Sequence, residues 1–425
     1  MQDQRDIVIS GGGYVGLVGA VHFALAGCNV TIYDPDPKTV NGINAGNPRA
    51  GEYLSYIDQN VAALVQNKKL KATTAFDTIS SKMVHLLAVP TEKGDSPCMD
   101  IVKSAITKLH ESVPKGAIII VESTIQPGTI DSLDLPRVYN DEIFLAVCPR
   151  LDWFADSTKN VTTLPRIVGG VTEQSTIMAV DVLGLICKDI HRTNHRVAEF
   201  AKAGQNHLYF VQIMAAHEMA LDFQGNADMN EALKFIGLHW RLPELFLGPG
   251  VSGRCIQMGT QYIVNSSSST DKMPIANASL EMNELWRITI ANALESYLPE
   301  NNNSSTILVM GIAYRQDFSD FGYSSGLEIA NRLNDWGYKV QIHDPIIPND
   351  VLASTGLKVY TGGPVEVILL ATGHSAYKNI PHETTWWKKG QVVLDACGLW
   401  EEHRKLFDVY GVKYIRVGEQ GWLDK

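Results

Sequence analysis

The chain has 425 residues, 45% of them hydrophobic and 19% charged, and its 36 basic against 46 acidic side chains leave a net charge of −10. At roughly 100–200 residues per domain this length predicts two or three domains, and no run approaches the ~18 consecutive apolar residues of a membrane span. An acidic balance without any basic block argues against a nucleic-acid binder, and the polar opening MQDQRD lacks the basic-then-apolar order of a secretory leader, which predicts a cytoplasmic protein.

The first elements are read from Asp6 to Ser10 (DIVIS), a β-branched strand, followed by Gly11-Gly12-Gly13-Tyr14-Val15-Gly16 and the apolar helix LVGAVHFALAG. Asn29 to Asp34 (NVTIYD) is a second strand ending in an acid, so the segment is a complete βαβ unit. Val84 to Pro90 and Ala117 to Thr124 are near-continuous apolar runs, as expected of parallel strands covered by helices on both faces. Residues 1–196 are therefore predicted to form a doubly wound, Rossmann-like domain. From 197 to 298 the Ala-, Met-, Glu- and Leu-rich sequence carries helical spacing, interrupted by Asn265 to Thr270 (NSSSST), read as a surface loop. Past Pro299 to Asn303 the αβ pattern returns: TILVMGIAY as strand, SGLEIANRLNDWG as a helix closed by Gly337, then strands KVQIHDP, VEVILLAT and VVLDACG. The predicted fold class is α/β, with two Rossmann-like doubly wound parallel-sheet domains (1–196 and 299–425) joined by a helical middle segment (197–298).

Three motifs carry chemistry. Gly11-x-Gly13-x-x-Gly16 follows a strand, opens a helix, and is followed eighteen residues later by Asp34 at a strand end. Glycines there permit a tight turn and the approach of a pyrophosphate to the helix N-terminus, while Asp34 would bind both ribose hydroxyls and repel a 2′-phosphate; NAD is predicted as cofactor. Lys202 and Asn206 lie one turn apart on a predicted helix with Glu199 on the same side, a set that suits an oxyanion or, alternatively, a surface Glu199–Lys202 ion pair. Cys255 follows the glycine-rich run LGPGVSGRC beside Arg254, which could favour its thiolate; a lone cysteine is more often structural. The six cysteines (Cys28, Cys98, Cys148, Cys187, Cys255, Cys397) are widely spaced without CxxC, so neither disulfides nor a metal site is expected, and most are read as buried small hydrophobes.

In colinear order, the segments GGGYVGL, YDPD, NAGNP, AVPTEKGD, ESTIQPGT, AVCPR, RIVGG, AEFAKAGQN, WRLPELFLGPGVSGRC, EMN and GIAYRQDFSD cover nearly the whole chain. On these the sequence resembles the UDP-glucose/GDP-mannose dehydrogenase family, most closely the branch acting on UDP-N-acetylhexosamines of the UDP-N-acetylmannosamine type. The resemblance implies a dimer-forming NAD enzyme that takes a primary alcohol to a carboxylate through a cysteine-bound thiohemiacetal and thioester. Carried over residue by residue, Cys255 aligns with the nucleophile, Lys202 and Asn206 with the oxyanion-stabilising pair, and Thr124 with a threonine contacting water and cofactor. Gly11, Gly13, Tyr14, Val15, Gly16, Asp34, Pro90, Thr91 and Thr124 fall in the cofactor motifs. Lys202, Asn206, Arg241, Gly250 and Arg315 fall in the substrate motifs, Arg241 matching an arginine that reaches across a dimer interface.

The departures lie in the same motifs. Arg150 stands where the family has a glutamate, Gly259 where it has an aspartate, Arg315 in place of a lysine, Gly322 in place of an arginine, and the last strand-end motif reads Asp395-Ala396-Cys397-Gly398. Three readings accommodate them: a working dehydrogenase on a nucleotide sugar or other phosphorylated small molecule, a relative with another hydroxyl substrate or a two-electron reaction, and a non-catalytic NAD-binding protein. Because deacylation of a thioester needs a base, the two absent carboxylates predict a slow second half-reaction unless Glu199 or another group substitutes.

Overall fold

A computed structural model describes residues 6–48, 55–94, 96–153, 156–221, 227–298, 305–363 and 365–423. The first five residues and the junction read at Pro299 to Asn303 lie outside these. The chain divides into two compact units, one of Met1–Gln205 with Gln261–Ser268, the other of Asn206–Thr260 with Ser269–Lys425. The sequence reading instead cuts at 196/197 and 298/299, following local composition. The difference has a packing cause: Ala216, Met229, Leu233 and Leu247 share one apolar cluster with Trp286, Ile290 and the second-sheet residues Ile307 and Val309.

The first unit is built on eight strands, β1 (Asp6–Ser10), β2 (Asn29–Tyr33), β3 (Leu70–Thr73), β4 (Val84–Leu87), β5 (Ile118–Val121), β6 (Phe144–Val147), β7 (Arg166–Gly170) and β8 (Ile190–Asn194), in the order β8-β7-β6-β5-β4-β1-β2-β3. All adjacent pairs are parallel except β6 and β7, which run antiparallel, so the sheet is mixed where a purely parallel one was expected. Every residue of β4 and β5 is buried, which is why those runs are apolar without alternation. Helix α1 (Tyr14–Leu25) follows β1, and the chain leaves it at Gly27, whose φ of +93° ends the helix at little cost.

The second unit carries six parallel strands, β9 (Thr306–Met310), β10 (Lys339–His343), β11 (Lys358–Val359), β12 (Val367–Leu370), β13 (Val392–Asp395) and β14 (Lys413–Arg416), ordered β11-β10-β9-β12-β13-β14. The helical stretch comprises α2 (His195–Met219), α3 (Met229–Ile236), α4 (Arg254–Ser266) and α5 (Pro274–Ser296), followed after β9 by α6 (Ser325–Asp335). Helix α4 absorbs Asn265 and Ser266, so the serine-rich loop starts later than its composition suggests. Trp286 anchors the unit's core, its ring 4.5 Å from that of His217 and 5.3 Å from that of Trp422. Cys28, Cys148 and Cys187 are buried, half of the six rather than most; Cys98 is half-buried, Cys397 is exposed, and Cys255, read as a candidate nucleophile, is exposed too. Among the described residues no helix is long and apolar enough to cross a membrane, and no group of three or more His, Cys, Asp or Glu is placed to hold a metal ion.

Candidate active site

The glycine turn after β1 is shaped by backbone crowding. Gly11 has φ +104°, and a Cβ there would overlap the carbonyl oxygen of Ala88; a Cβ on Gly16 would overlap the carbonyl of Gly11. Gly13, in contrast, has open space where its side chain would be, and it caps α1 with no side-chain hydrogen bond. The helix N-terminus is thereby left bare for an anion, with Tyr14 and Val15 opening its first turn. Asp34 reaches back to the same turn: its Oδ2 accepts from Gly12 N at 2.7 Å and its Oδ1 from Asp36 N at 2.9 Å. Each carboxylate oxygen keeps a lone pair for a ribose hydroxyl, so these residues fit the adenosine half of NAD.

The loops after β4 and β5 adjoin that turn. Ser123 Oγ accepts from Val89 N and donates to Val89 O, tying the two loops together, with Thr124 half-buried beside it. Pro90 is exposed, whereas Thr91 is buried and turned toward Tyr262, whose hydroxyl lies 2.9 Å from the threonine oxygen. Glu199 is 2% exposed, and its carboxylate accepts from Gly128 N at 2.6 Å and Ile130 N at 3.1 Å. The surface ion pair between Glu199 and Lys202 is therefore corrected: Glu199 braces the ESTIQPGT loop, and both its oxygens are engaged. Burial raises its carboxyl above the ordinary range against the pull of those two amides.

Arg150 is 7% exposed and turns inward. It grips Asp152 through two 2.7 Å bonds, donates to the carbonyl of Val15 at 3.0 Å, and lies 3.4 Å from Glu122, which in turn pairs with Arg166 at 2.6 Å. Two guanidiniums and two carboxylates thus balance one another under the dinucleotide turn. Glu122, Asp152 and Arg166 were not singled out in the sequence, although Glu122 and Arg166 sit inside the quoted EST and RIVGG segments.

In the second unit the run before Cys255 is clamped from α5 and α6. Asn283 accepts from Val251 N at 2.9 Å, Arg287 donates to Val251 O at 3.2 Å and Gln257 at 3.3 Å, and Ser325 N donates to Ser252. Gly250, at φ +125°, leaves only about 3 Å between a would-be Cβ and Ser325 Oγ or Asn283 Oδ1. The roles of Asn283 and Arg287 were missed by sequence reasoning: the quoted EMN segment ends on Asn283, but nothing in the sequence marks Arg287, one turn on, as buried. Cys255 is exposed in the first turn of α4, and Asn206 Nδ2 donates to its carbonyl at 2.8 Å. A Cβ at Gly259 would overlap the side chain of Asn206, so the absent aspartate is replaced by helix contact. Lys202, half-buried, belongs to the first unit, and Asn206 to the second.

A cavity of about 280 Å³ is lined by Gly250, Ser252, Tyr314, Arg315, Thr372 and Cys397 among others. The Arg315 guanidinium stacks 4.0 Å from the Phe318 ring, and burial pushes the Tyr314 phenol up to about 12. Arg241 is not brought to this cavity; it is exposed, its guanidinium 4.6 Å from the Trp240 ring. Although Cys397 is exposed as a residue, its Sγ is desolvated and donates to Asp395 at 3.3 Å; desolvation and then the Asp395 charge raise the thiol well above its ordinary range.

Three family models match the chain in order: the NAD binding domain of the UDP-glucose/GDP-mannose dehydrogenase family over residues 5–188, its central domain over 196–285 and its UDP binding domain over 308–402. The UDP-N-acetyl-D-mannosamine dehydrogenase of Methanocaldococcus jannaschii is 25% identical over 98% of this chain and 97% of its own length. The enzyme of the same name from Pyrococcus horikoshii is 27% identical over 89% of this chain and 91% of its own. The solved structure of the UDP-D-ManNAc dehydrogenase of Pyrococcus horikoshii shares the fold, with a TM-score of 0.85 at 24% identity, covering 98% of this chain and 99% of that one.

Proposed function

Because the chain belongs to the UDP-glucose/GDP-mannose dehydrogenase family, whose first domain binds NAD, we propose that it oxidises the C6 primary alcohol of a UDP-N-acetylhexosamine of the mannosamine type to the carboxylate, with Cys255 as nucleophile. The relatives from Methanocaldococcus and Pyrococcus, aligned over most of the chain, support this substrate class. One observation carries the assignment: Cys255 stands exposed at the start of α4 on a pre-shaped glycine turn, its own carbonyl held by Asn206. NAD, when bound, would supply the hydride acceptor, and Gly11, Gly13, Tyr14, Val15, Gly16, Asp34, Pro90, Thr91 and Thr124 would hold it.

The chain's own residues do the rest. Lys202 and the Asn206 amide carry the negative charge that develops on the substrate oxygen, and Thr124 orients water. Loss of one hydride from C6 to a first NAD would leave the aldehyde, to which Cys255 Sγ adds; the thiohemiacetal would lose a second hydride to a second NAD to become a thioester, and attack of water releases the acid and returns the thiol. Arg150 is locked to Asp152 and Gly259 bears no side chain, so neither supplies the base for that last step, and Glu199 is committed to its loop. Deacylation is accordingly the slow half-reaction, by about 10²–10⁴-fold relative to a base-assisted one. We further propose a homodimer, supported by exposed Leu208, Phe235, Leu238, Trp240 and Phe246 in the middle segment, with Arg241 serving the partner's substrate, and a cytoplasmic location where nucleotide sugars are made available.

The test is UDP-N-acetylmannosamine with NAD, following NADH and identifying the product by mass. A burst of two NADH per site, one from each oxidation that precedes thioester hydrolysis, then a slow phase with two NADH per sugar, and an acyl mass on Cys255 are expected. Full-rate formation of the acid by Cys255→Ser would remove the covalent route, and absence of any oxidation would remove the function.

A further inference from the structure

A cavity of about 460 Å³ opens at the amino ends of β1 to β4, lined by Asp6, Asn29, Thr31, Lys68, Lys71 and Lys82 among others. Ligands of open α/β sheets bind outside the carboxyl ends of the strands, where the glycine turn stands. The cavity lies at the other end of β1, one five-residue strand away, on the order of 15 Å, so the dinucleotide site does not account for it.

Its charge is unbalanced. The Asp6 carboxylate accepts from Asn29 Nδ2 and from Lys82 Nζ, both at 2.9 Å, and these two bonds hold it below the usual carboxylate range. Lys69 is engaged as well, donating to Gly27 O at 3.3 Å and Asn29 Oδ1 at 3.1 Å. Lys68 and Lys71 differ: both are exposed, and among the described residues no carboxylate lies within ion-pair distance of either ammonium. Three ammoniums therefore line the cavity against one carboxylate, in a protein of net charge −10. The backbone adds a second sign. Lys68 has φ +57° and closes the helix Ser55–Gln66, its N–H donating to Val65 O at 3.0 Å and that of Lys69 to Leu64 O at 2.9 Å. Glycine is the residue this left-handed position favours, and a side chain there is strained. A cation suits the carboxyl end of a helix, but a lysine anywhere in the last turn would meet that need without strain. At 68 it also stands in the cavity wall.

We propose that this cavity is a second anion site, taking a phosphomonoester between Lys68, Lys71 and Lys82, with the Thr31 hydroxyl as a neutral donor. Lysines serve phosphate as compact point charges on adaptable stems, and the volume falls within the roughly 300–1,000 Å³ of small-molecule sites. None of the residues in the proposed mechanism lines this cavity, so the inference stands apart from the substrate assignment.

The full-length protein is first saturated with NADH and UDP, so that any further anion binds elsewhere, and then titrated calorimetrically with inorganic phosphate, glucose 6-phosphate and succinate. Saturable, salt-sensitive binding of both phosphates is expected, with succinate weaker. Lys71→Gln should weaken glucose 6-phosphate by about fivefold or more, and Lys82→Gln by more still, because it also leaves Asp6 unpaired against the anion. Lys68→Gly relaxes the left-handed turn, so it should keep or raise the melting temperature while weakening the same ligand by about fivefold, a separation that a purely structural lysine would not show. NADH and UDP affinities should be unchanged in all three variants. Absence of saturable phosphate binding to the doubly filled protein, wild-type affinity in both Lys68→Gly and Lys71→Gln, or succinate binding as tightly as glucose 6-phosphate would each overturn the proposal.

Discussion

The glycines of the two units are imposed by different neighbours. In the dinucleotide turn, Gly11 and Gly16 are required by main-chain carbonyls of Ala88 and Gly11, atoms that every sequence with this turn possesses. In the substrate half the crowding comes from side chains: a Cβ at Gly259 would meet Asn206 Cβ, and one at Gly322 would meet the flexible end of Arg254. Glycines imposed by backbone recur as a fixed spacing wherever the turn recurs. Those imposed by a side chain arise as one member of a pair, and they drift as the pair drifts.

The comparison breaks most visibly at Arg150, a side chain inside the first unit whose neighbours are other charged side chains. Arg150→Glu would restore the family's acid but set three carboxylates, Glu122, Asp152 and the new one, against Arg166 alone. A loss of about 3–5 kcal/mol in urea unfolding is expected, with no gain in deacylation rate. A stable variant with faster thioester hydrolysis would show instead that the position still serves chemistry.

Gly11 and Gly13 sharpen the comparison within one turn. Gly11→Ala forces an L-residue to φ +104° and into Ala88, costing roughly 1–3 kcal/mol of stability by thermal unfolding as well as NAD binding. Gly13→Ala enters open space and should leave the melting temperature unchanged while weakening NAD on the order of tenfold, since the new methyl group stands where the pyrophosphate approaches. Equal melting temperatures for both variants would contradict the crowding account.

The remaining effect is titrational and grows one pH unit at a time. Burial holds the imidazole of His85 in the first unit down to about 4 and that of His217 in the second to about 3. The unfolded chain takes up these protons first, near pH 6.5, so the stability each histidine withholds from protonation is complete above that pH and is lost as pH falls toward its folded value. His85→Gln should remove up to about 1.4 kcal/mol per pH unit from the slope between pH 6.5 and about 4, and His217→Gln should extend that flattening to about 3, as read from urea midpoints. Unaltered slopes would mean that water reaches these rings.

What the sequence disclosed follows the same division. β1, the glycine turn, α1 and the acid ending β2 were legible because each depends on local crowding and on periodic burial that spacing records. The strands of the second sheet were legible for the same reason. The antiparallel pairing of β7 was not, since Arg166–Gly170 reads alike in either direction. Nor were the roles of Glu199 and Arg150: a charged residue buried against amides 70 positions away or against an acid two positions on looks, in sequence, like a charged residue on a surface. Asn283 and Arg287 were hidden because their partner is the main chain of a loop more than thirty residues distant.

The contact between Gly259 and Asn206 also constrains how this protein can change. A side chain at 259 would have to displace the Cβ of Asn206, which no trimming of that residue short of glycine removes, so α2 would have to draw back from α4. That retreat would stretch the amide bond from Asn206 to the Cys255 carbonyl. A carboxylate at this position is therefore a matter of helix spacing rather than of one side chain, and faster turnover is more easily won by placing a base elsewhere.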